Sequence, residues 1–229
     1  MDRERFEAAE RAEGLRRSLT TKAVQEVSRL ERFLTACESS LETAAPADLE
    51  AFLEERTLTT VATIDVQGLH RYFACVGNHA LAEAASELRL RFTPPFKLSE
   101  LPDTDPAHID TLETAGLRTN NQLLRKAPSP KDRRALARRV GIPPSALETI
   151  ARLADLTRMF GVRAIRAKLY FEMGIETVEA MANWTPEDLV REATAFVERT
   201  GFDGIATLPK EAAFTVELAK RLPRLAAFE

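Results

Sequence analysis

The feature that most restricts the fold of this chain is an internal repeat in its second half. When the sequence is shifted by 58 positions, residues 98–128 align with residues 156–186 without a gap. Gly116 then falls on Gly174, and both copies end on a proline. Glycine at a helix C-cap and proline at a helix start are choices that backbone geometry restricts. Each copy therefore predicts helix, tight hairpin, helix, glycine turn and helix, and the repeat indicates two related helical units.

The composition independently favours an all-α fold. Only 9 of the 229 residues are glycine and 7% are aromatic, whereas the abundant Ala, Leu, Glu and Arg are good helix formers. A β-sandwich or barrel would need many short β-branched and aromatic segments separated by turn residues. We therefore expect an all-α protein, with an N-terminal helical bundle followed by the tandem units.

Consecutive prolines mark the boundary between two predicted domains. Because Thr93-Pro94-Pro95 cannot continue a helix, a first domain is expected over residues 1–94 and a second over residues 95–229. The second domain contains the repeat units, at about 97–128 and 155–186, with a basic helical segment between them and a closing C-terminal helix.

Local signals predict the helices of the first domain. Pro46 is expected at the first position of a helix, where a proline loses no hydrogen bond. We expect a turn at 57–60, a loop over the β-branched stretch 59–66, and a final helix over about 79–90. An earlier helix has apolar residues at three- and four-residue intervals, namely Ala23, Val27, Leu30, Leu34 and Cys37.

The formal net charge of −3 conceals a strongly uneven distribution. Residues 1–117 carry 13 basic and 21 acidic side chains, a net charge of −8; residues 118–168 carry 13 and 3, a net charge of +10; residues 169–229 carry 6 and 11, a net charge of −5. A basic insert between acidic flanks indicates a nucleic-acid or acidic partner. It is equally compatible with docking of the insert on the acidic flanks of its own chain or of a second copy.

The sequence also sets expectations about the compartment. No apolar run approaches the ~18 residues of a membrane span, so no membrane partner is expected. The N-terminal residues 1–7 are too charged for a signal peptide. Cys37 and Cys75 are predicted to be free thiols, which indicates a reducing, cytoplasmic environment.

The first domain resembles the SAM-like core-binding domain of phage integrases and related tyrosine recombinases, over roughly residues 15–92. The resemblance implies a helical domain that clamps DNA while a separate Arg/His/Arg/Tyr domain cuts the strands. With Tyr72 and Tyr170 as the only tyrosines and no such pattern after Pro95, the chain is not expected to be a recombinase. The matching segments are Leu19-Thr20-Thr21, residues 27–34, residues 45–53, residues 69–73 and Gly77-Asn78.

The second domain resembles paired helix-hairpin-helix units, and specifically a family of unknown function built from two such units. The resemblance covers about residues 96–225. It implies membership of a superfamily of DNA-associated modules and carries no known activity. The matching segments are residues 135–142, 154–162 and 174–182 and a terminal helix with Pro209, Val216 and Ala219-Lys220.

The two predicted hairpins differ in their suitability for phosphate binding. A DNA-binding hairpin uses a Gly-apolar-Gly turn that lets backbone N–H groups approach a phosphate. The first hairpin has Asp103 and Asp105 at both glycine positions, so it is interpreted as structural, with Asp105 as an N-cap. The second hairpin is a candidate, either for nucleic-acid binding or for packing alone. Its candidate residues are Arg158, Gly161, Val162, Arg163, Arg166 and Lys168.

A basic helix between the repeat units is the second candidate surface. Ser129, Pro130 and Asp132 predict a capped helix start. At 100° per residue, Leu136 and Val140 point to one side. The opposite side is expected to face a phosphate backbone or simply solvent, and it carries Lys131, Arg134, Arg138 and Arg139.

No reaction can be predicted from this sequence. Catalytic triads, phosphate-binding loops and dinucleotide fingerprints are missing, and His70, Cys75 and His79 lack the fourth ligand of a structural zinc site. We expect no catalytic residue, no metal and no cofactor. No regular alternation of aromatic and basic residues indicates single-strand stacking. Six phenylalanines are predicted core residues: Phe33, Phe73, Phe160, Phe171, Phe196 and Phe214.

The preferred prediction is a non-enzymatic protein that binds DNA, or RNA, without sequence specificity. The basic helix and the second hairpin would form the binding surface. The alternative is a scaffold, an adaptor or a self-associating module, whose basic segment pairs with the acidic surface of a protein partner or of a second copy.

Overall fold

The fold is entirely helical where the structure describes it. The computed structural model describes residues 1–59, 64–91 and 95–228, and within these ranges it contains thirteen α-helices and no β-strand. The expectation of an all-α protein is therefore confirmed. The described residues divide into two compact units, Met1–Phe92 and Thr93–Glu229. Among the described residues, no helix combines the length and apolar character that crossing a bilayer requires.

The first unit packs five helices around one core. In α2 the predicted apolar stripe is buried from Ala23 to Leu34, whereas Cys37 follows the helix and is exposed. Helix α4 packs against both α2 and α5. The helices are α1 (Arg3–Ala12), α2 (Arg17–Ala36), α3 (Pro46–Thr59), α4 (Val66–Cys75) and α5 (His79–Arg91).

One prediction for this unit, the turn at 57–60, is corrected. Another, the loop over 59–66, lies partly outside the described residues. Helix α3 begins at Pro46 as predicted but runs to Thr59, so residues 57–59 are helical rather than a turn. Thr57 continues the helix because its hydroxyl donates to the Glu54 carbonyl oxygen, which satisfies the side chain without a turn. The central part of the predicted loop, residues 60–63, lies outside the described residues.

The second unit contains eight helices and one short 3₁₀ turn, Leu98–Glu100. A single apolar cluster runs through the unit, from Phe96 to Ala226. The predicted closing helix begins at Pro209 and is followed by a tail without regular secondary structure, residues 222–228. The helices are α6 (Pro106–Thr114), α7 (Asn120–Lys126), α8 (Pro130–Val140), α9 (Pro144–Leu156), α10 (Ala164–Glu172), α11 (Val178–Ala182), α12 (Pro186–Thr200) and α13 (Pro209–Arg221).

The internal repeat is visible in the backbone. A shift of 58 residues carries the bounds of α6 onto those of α10, and the glycine turns at Gly116 and Gly174 both have φ of +84°. The N-caps of α7 and α11 are Thr119 and Thr177, and each hydroxyl accepts from a backbone N–H of its helix. The repeat thus preserves the positions where the backbone, rather than the core, dictates the residue.

The duplication extends further than the sequence alignment indicated. Helices α8 and α12 both begin on a proline, behind the N-caps Ser129 and Thr185. Helix α7 packs on α9 as α11 packs on α13, and α8 packs on α9 as α12 packs on α13. Each copy therefore comprises four helices, α6–α9 and α10–α13. The predicted match of Pro128 with Pro186 is wrong, because Pro130 is the helix-opening proline of the first copy.

Candidate nucleic-acid interface

The basic helix α8 has well-defined ends. The Ser129 hydroxyl accepts from the Asp132 backbone N–H at 3.1 Å and donates to the Asp132 carboxylate at 2.5 Å. Pro130 occupies the first helical position, as predicted. Gly141 ends the helix with φ of +73°, a left-handed conformation that favours glycine. These caps fix the start and the length of the helix, and therefore the direction of each side chain.

Helix α8 has one buried face and one cationic face. Leu136 and Ala137 are buried and Val140 is half-buried. At 100° per residue the four cations span an arc of about 140° on the opposite side. All four are exposed, and none forms an ion pair with a described residue. We call this surface the α8 cationic face, and it consists of Lys131, Arg134, Arg138 and Arg139.

A fifth cation on α8, Arg133, points inward and holds the helix in place. It is 1% exposed, and its guanidinium binds both Glu148 carboxylate oxygens, at 2.6 and 3.1 Å. It also donates to the Ala227 carbonyl oxygen at 2.9 Å and lies 4.5 Å from the centre of the Phe228 ring. Arg133 thus ties α8 to α9 and to the C-terminal tail, which leaves the α8 cationic face directed outward.

The second turn, residues 159–163, connects α9 to α10 with a left-handed glycine. Gly161 has φ of +88° and is exposed. Val162 is buried, and its backbone N–H donates to the Met159 carbonyl oxygen at 3.0 Å. Val162 therefore contributes an apolar anchor, and its amide is not free for a phosphate. Arg163 is the N-cap of α10 and makes no side-chain cap bond to the helix.

The cations of the second turn and of the following helix α10 are paired with carboxylates of other segments. Arg163 lies 2.8 Å from Glu100, and Arg166 lies 3.0 Å from Glu211. Lys168 lies 2.8 Å from Asp103, and the hydrogen bond to this carboxylate raises the pKa of the lysine. The positive charge of this turn is therefore largely balanced, in contrast to that of the α8 cationic face.

The first turn, residues 101–105, and Glu100 directly before it provide two of these interactions. Asp103 occupies the position equivalent to Gly161 and adopts the same left-handed conformation, with φ of +51°. Asp105 caps α6 by accepting from the Ala107 backbone N–H at 2.9 Å, as predicted. The two turns are therefore linked by ion pairs, and the carboxylates of the first would compete with any phosphate at the second.

Arg158 does not belong to the candidate surface. It is 2% exposed, and its guanidinium is hydrogen-bonded to the Asp155 carboxylate and to the Pro223 carbonyl oxygen. Asp155 in turn accepts from the Val178 backbone N–H at 2.8 Å. This buried pair joins the end of α9 to α11 and to the tail, so the predicted role of Arg158 in phosphate binding is wrong.

Two predicted core phenylalanines instead lie on the surface near the second turn. Phe160 is 66% exposed and Phe214 is 45% exposed. Their rings contact edge to face, with centroids 6.3 Å apart. Sequence analysis missed this pair because the two residues lie more than fifty positions apart and share no local pattern.

Metal-binding and disulfide signals are weak where the structure describes the chain. No group of three or more potential metal ligands is found among the described His, Cys, Asp and Glu side chains. The Nδ1 atom of His70 lies 2.8 Å from the Ala82 carbonyl oxygen, so this ring is engaged within its own unit. Cys37 and Cys75 are free thiols.

The fold and these surfaces define an all-α chain whose second unit is a duplicated four-helix array with an exposed cationic helix. Residues 102–222 match the family described as a domain of unknown function, DUF4332. The chain belongs to this family. Neither the curated proteins nor the solved structures searched contain a match.

Proposed function

We propose that the protein binds nucleic acid without catalysing a reaction, and that it does so through the phosphate backbone of its ligand. DNA is the first candidate for this ligand. The observation that carries this proposal is the α8 cationic face: four exposed cations on one side of a capped helix, unpaired by any described residue. Phosphate contacts of this kind provide affinity without reading sequence. Arg133 supports the proposal, because it fixes the helix from behind and leaves this face free.

The second turn is proposed as an auxiliary contact. In a helix-hairpin-helix unit, the turn presents backbone amides at the start of the following helix to a phosphate. The start of α10 has no side-chain cap, which leaves its first N–H groups to water or to a ligand. Gly161 and Arg163 flank this position, and Arg166 and Lys168 lie within the helix. Their carboxylate partners reduce the net attraction, so α8 is expected to dominate.

The first unit fits an accessory role in this proposal. A domain similar to the integrase core-binding domain would clamp the same nucleic acid that the second unit binds. Its two buried glutamates are engaged internally: Glu10 with Arg71 at 2.9 Å, and Glu26 with Arg29 and Arg56 at 3.0 and 3.2 Å. These carboxylates therefore contribute less repulsion at the surface than the net charge of the segment indicates. The free cysteines fit a cytoplasmic setting.

A binding titration against rising salt tests the proposal. Four phosphate contacts predict that the logarithm of the binding constant falls with the logarithm of salt concentration with a slope of about −3 to −4. The double variant Arg134→Gln/Arg138→Gln should reduce the magnitude of this slope by about 2. The matched control is Arg199→Gln/Lys210→Gln, which removes two exposed cations from α12 and α13 and should leave the slope unchanged. Absent or salt-independent binding would contradict the proposal.

The alternative is a protein scaffold or a self-associating module. It is supported by the second turn, whose cations already pair with carboxylates of the flanking segments, Glu100, Asp103 and Glu211. The same chemistry would bind an acidic protein surface. Sedimentation equilibrium of the nuclease-treated protein distinguishes the two functions, because the alternative predicts a mass above that of the monomer or a co-purifying protein partner.

A further inference from the structure

An exposed apolar surface surrounds the second turn. Of the six large apolar side chains that are exposed among the described residues, five lie between positions 160 and 214. They border one area: Ile165 approaches Gly204, and Arg166 donates to the Ile205 carbonyl oxygen at 2.7 Å. These five residues are Phe160, Ile165, Ile205, Leu208 and Phe214.

Phe160 and Phe214 line a small cavity in this surface. Its volume is about 150 Å³, and Gly161, Arg166, Tyr170 and Glu211 complete most of its wall. Pockets for drug-sized ligands have volumes from about 300 Å³ upward, so this one has room for a single ring system. The two phenylalanines are the exposed aromatic part of its wall, whereas Tyr170 is fully buried.

The polar side of the cavity is held by a set of hydrogen bonds. Arg166 donates to the Ile205 carbonyl oxygen, to the Thr207 hydroxyl at 3.4 Å and to the Glu211 carboxylate at 3.0 Å. Glu211 also accepts from the Leu208 backbone N–H at 3.2 Å. A guanidinium and a carboxylate thus stand beside two aromatic rings. This combination matches the donor and acceptor edge and the flat faces of a nucleobase.

We propose that this cavity binds one unpaired base of a single-stranded nucleic acid, by contact with Phe160 and Phe214. The inference rests on the proposed function and adds to it a preference for unpaired strands. Arg163 is 75% exposed at its side chain and lies next to the cavity in the chain, where it would meet the phosphate of the bound nucleotide. A partner helix is a poorer fit, because it inserts several side chains along an extended groove and this cavity holds one ring.

The experiment compares two oligonucleotides of equal length and charge, a poly-dT strand and an abasic strand, at one salt concentration. The full-length protein should bind the poly-dT strand about ten-fold more tightly. The variant Phe160→Ala/Phe214→Ala should lose this preference and keep its affinity for the abasic strand. The matched control is Ile205→Ala/Leu208→Ala, which removes exposed apolar side chains that do not line the cavity and should keep the preference.

The outcomes separate this inference from the proposed function. Equal binding of the two strands by the unmodified protein overturns the base pocket, while salt-dependent duplex binding leaves the proposed function in place. Retention of the preference in Phe160→Ala/Phe214→Ala also overturns the pocket. Failure to bind any of the oligonucleotides overturns both. A dimer that this variant converts to a monomer would assign the surface to protein contact instead, and would overturn the inference.

Discussion

Asp103 and Lys168 join the two turns of the duplicated unit, with the carboxylate 2.8 Å from the ammonium group. Asp103 occupies the left-handed backbone position that Gly161 holds in the other copy. The first copy thus has a carboxylate where the second has a glycine. This carboxylate forms an ion pair with a lysine of the second copy. A second pair, Glu100 with Arg163, repeats the arrangement. The first turn therefore moderates the positive charge of the second.

Removing the carboxylates of Glu100 and Asp103, before and within the first turn, should increase nucleic-acid binding. In Glu100→Gln/Asp103→Asn, Arg163 and Lys168 lose their partners across the turns, and the magnitude of the salt slope should rise by up to about 2. Asparagine tolerates the left-handed conformation at position 103, and exposed ion pairs contribute at most about 1 kcal/mol to stability, so the fold should persist. The control Asp110→Asn removes an exposed charge from α6. Unchanged affinity in the double variant would show that the second turn does not contact the ligand.

Replacing neighbouring arginines on α8 by glutamine should affect the stability of the protein to very different extents. Arg133→Gln leaves Glu148 without its buried partner and should lower the free energy of unfolding by about 3 kcal/mol, the lower end for buried pairs, because Glu148 is partly exposed. Arg134→Gln should change it by less than about 0.5 kcal/mol. Urea denaturation followed by circular dichroism measures both. Similar stability losses in the two variants would contradict the inward placement of Arg133.

The contact between α2 and α4 should not tolerate a side chain at Gly68. A Cβ atom there would lie 2.8 Å from the Ala23 Cα atom and 2.7 Å from its Cβ. Gly68→Ala should therefore destabilise the protein by about 1–3 kcal/mol through overpacking, although alanine is the better helix former. Thermal denaturation checks this expectation. Adding Ala23→Gly should recover only part of the loss, because the backbone contact remains, and full stability of Gly68→Ala alone would refute the close approach.

Alkaline pH should weaken the second unit through Tyr170. Burial raises the pKa of this phenol, and the Thr207 hydroxyl, whose hydrogen bond lowers it, compensates only in part. A raised folded-state pKa favours the neutral form, so this contribution to stability is complete below about pH 10 and is lost as the pH rises through the folded-state pKa. Urea denaturation at about pH 9 and about pH 11 should show the loss. Tyr170→Phe cannot ionise and should show a smaller decrease, whereas an equal decrease would exclude Tyr170 as its source.

Helix starts were predictable from the sequence because capping is local. Ser129 with Asp132, Asp105 with Pro106, and Pro46 each act within one turn of chain, so a short stretch of residues carries the signal. The exposed side of α8 followed from helical periodicity for the same reason. These features include most of what positions the α8 cationic face.

The inward arginines were not predictable, because their partners come from distant parts of the chain. Arg133 is buried by Glu148 and by a tail about ninety residues away, and Arg158 is buried partly by Pro223. Side-chain type alone indicates exposure for both. The prediction for Phe160 was wrong in the opposite direction. An aromatic residue in an apolar stretch of sequence is usually buried, whereas Phe160 is exposed. In each case the tertiary neighbour decides, and no spacing along the chain reveals it.

Asp103 and Gly161 occupy equivalent positions and share a left-handed backbone conformation, so the backbone of one turn is compatible with the sequence of the other. Residues 101–105 and 159–163 each contain one such site, and each turn is followed by a helix of nine residues. A chain carrying the second turn twice would bring two glycines and four turn and helix cations to neighbouring positions, and a chain carrying the first turn twice would bring carboxylates to both. The sign of this surface can thus be reversed by exchanging only the exposed turn residues, Asp103 and Asp105 for Gly and Arg or the reverse, while the buried Leu101, Met159 and Val162 leave the core unchanged.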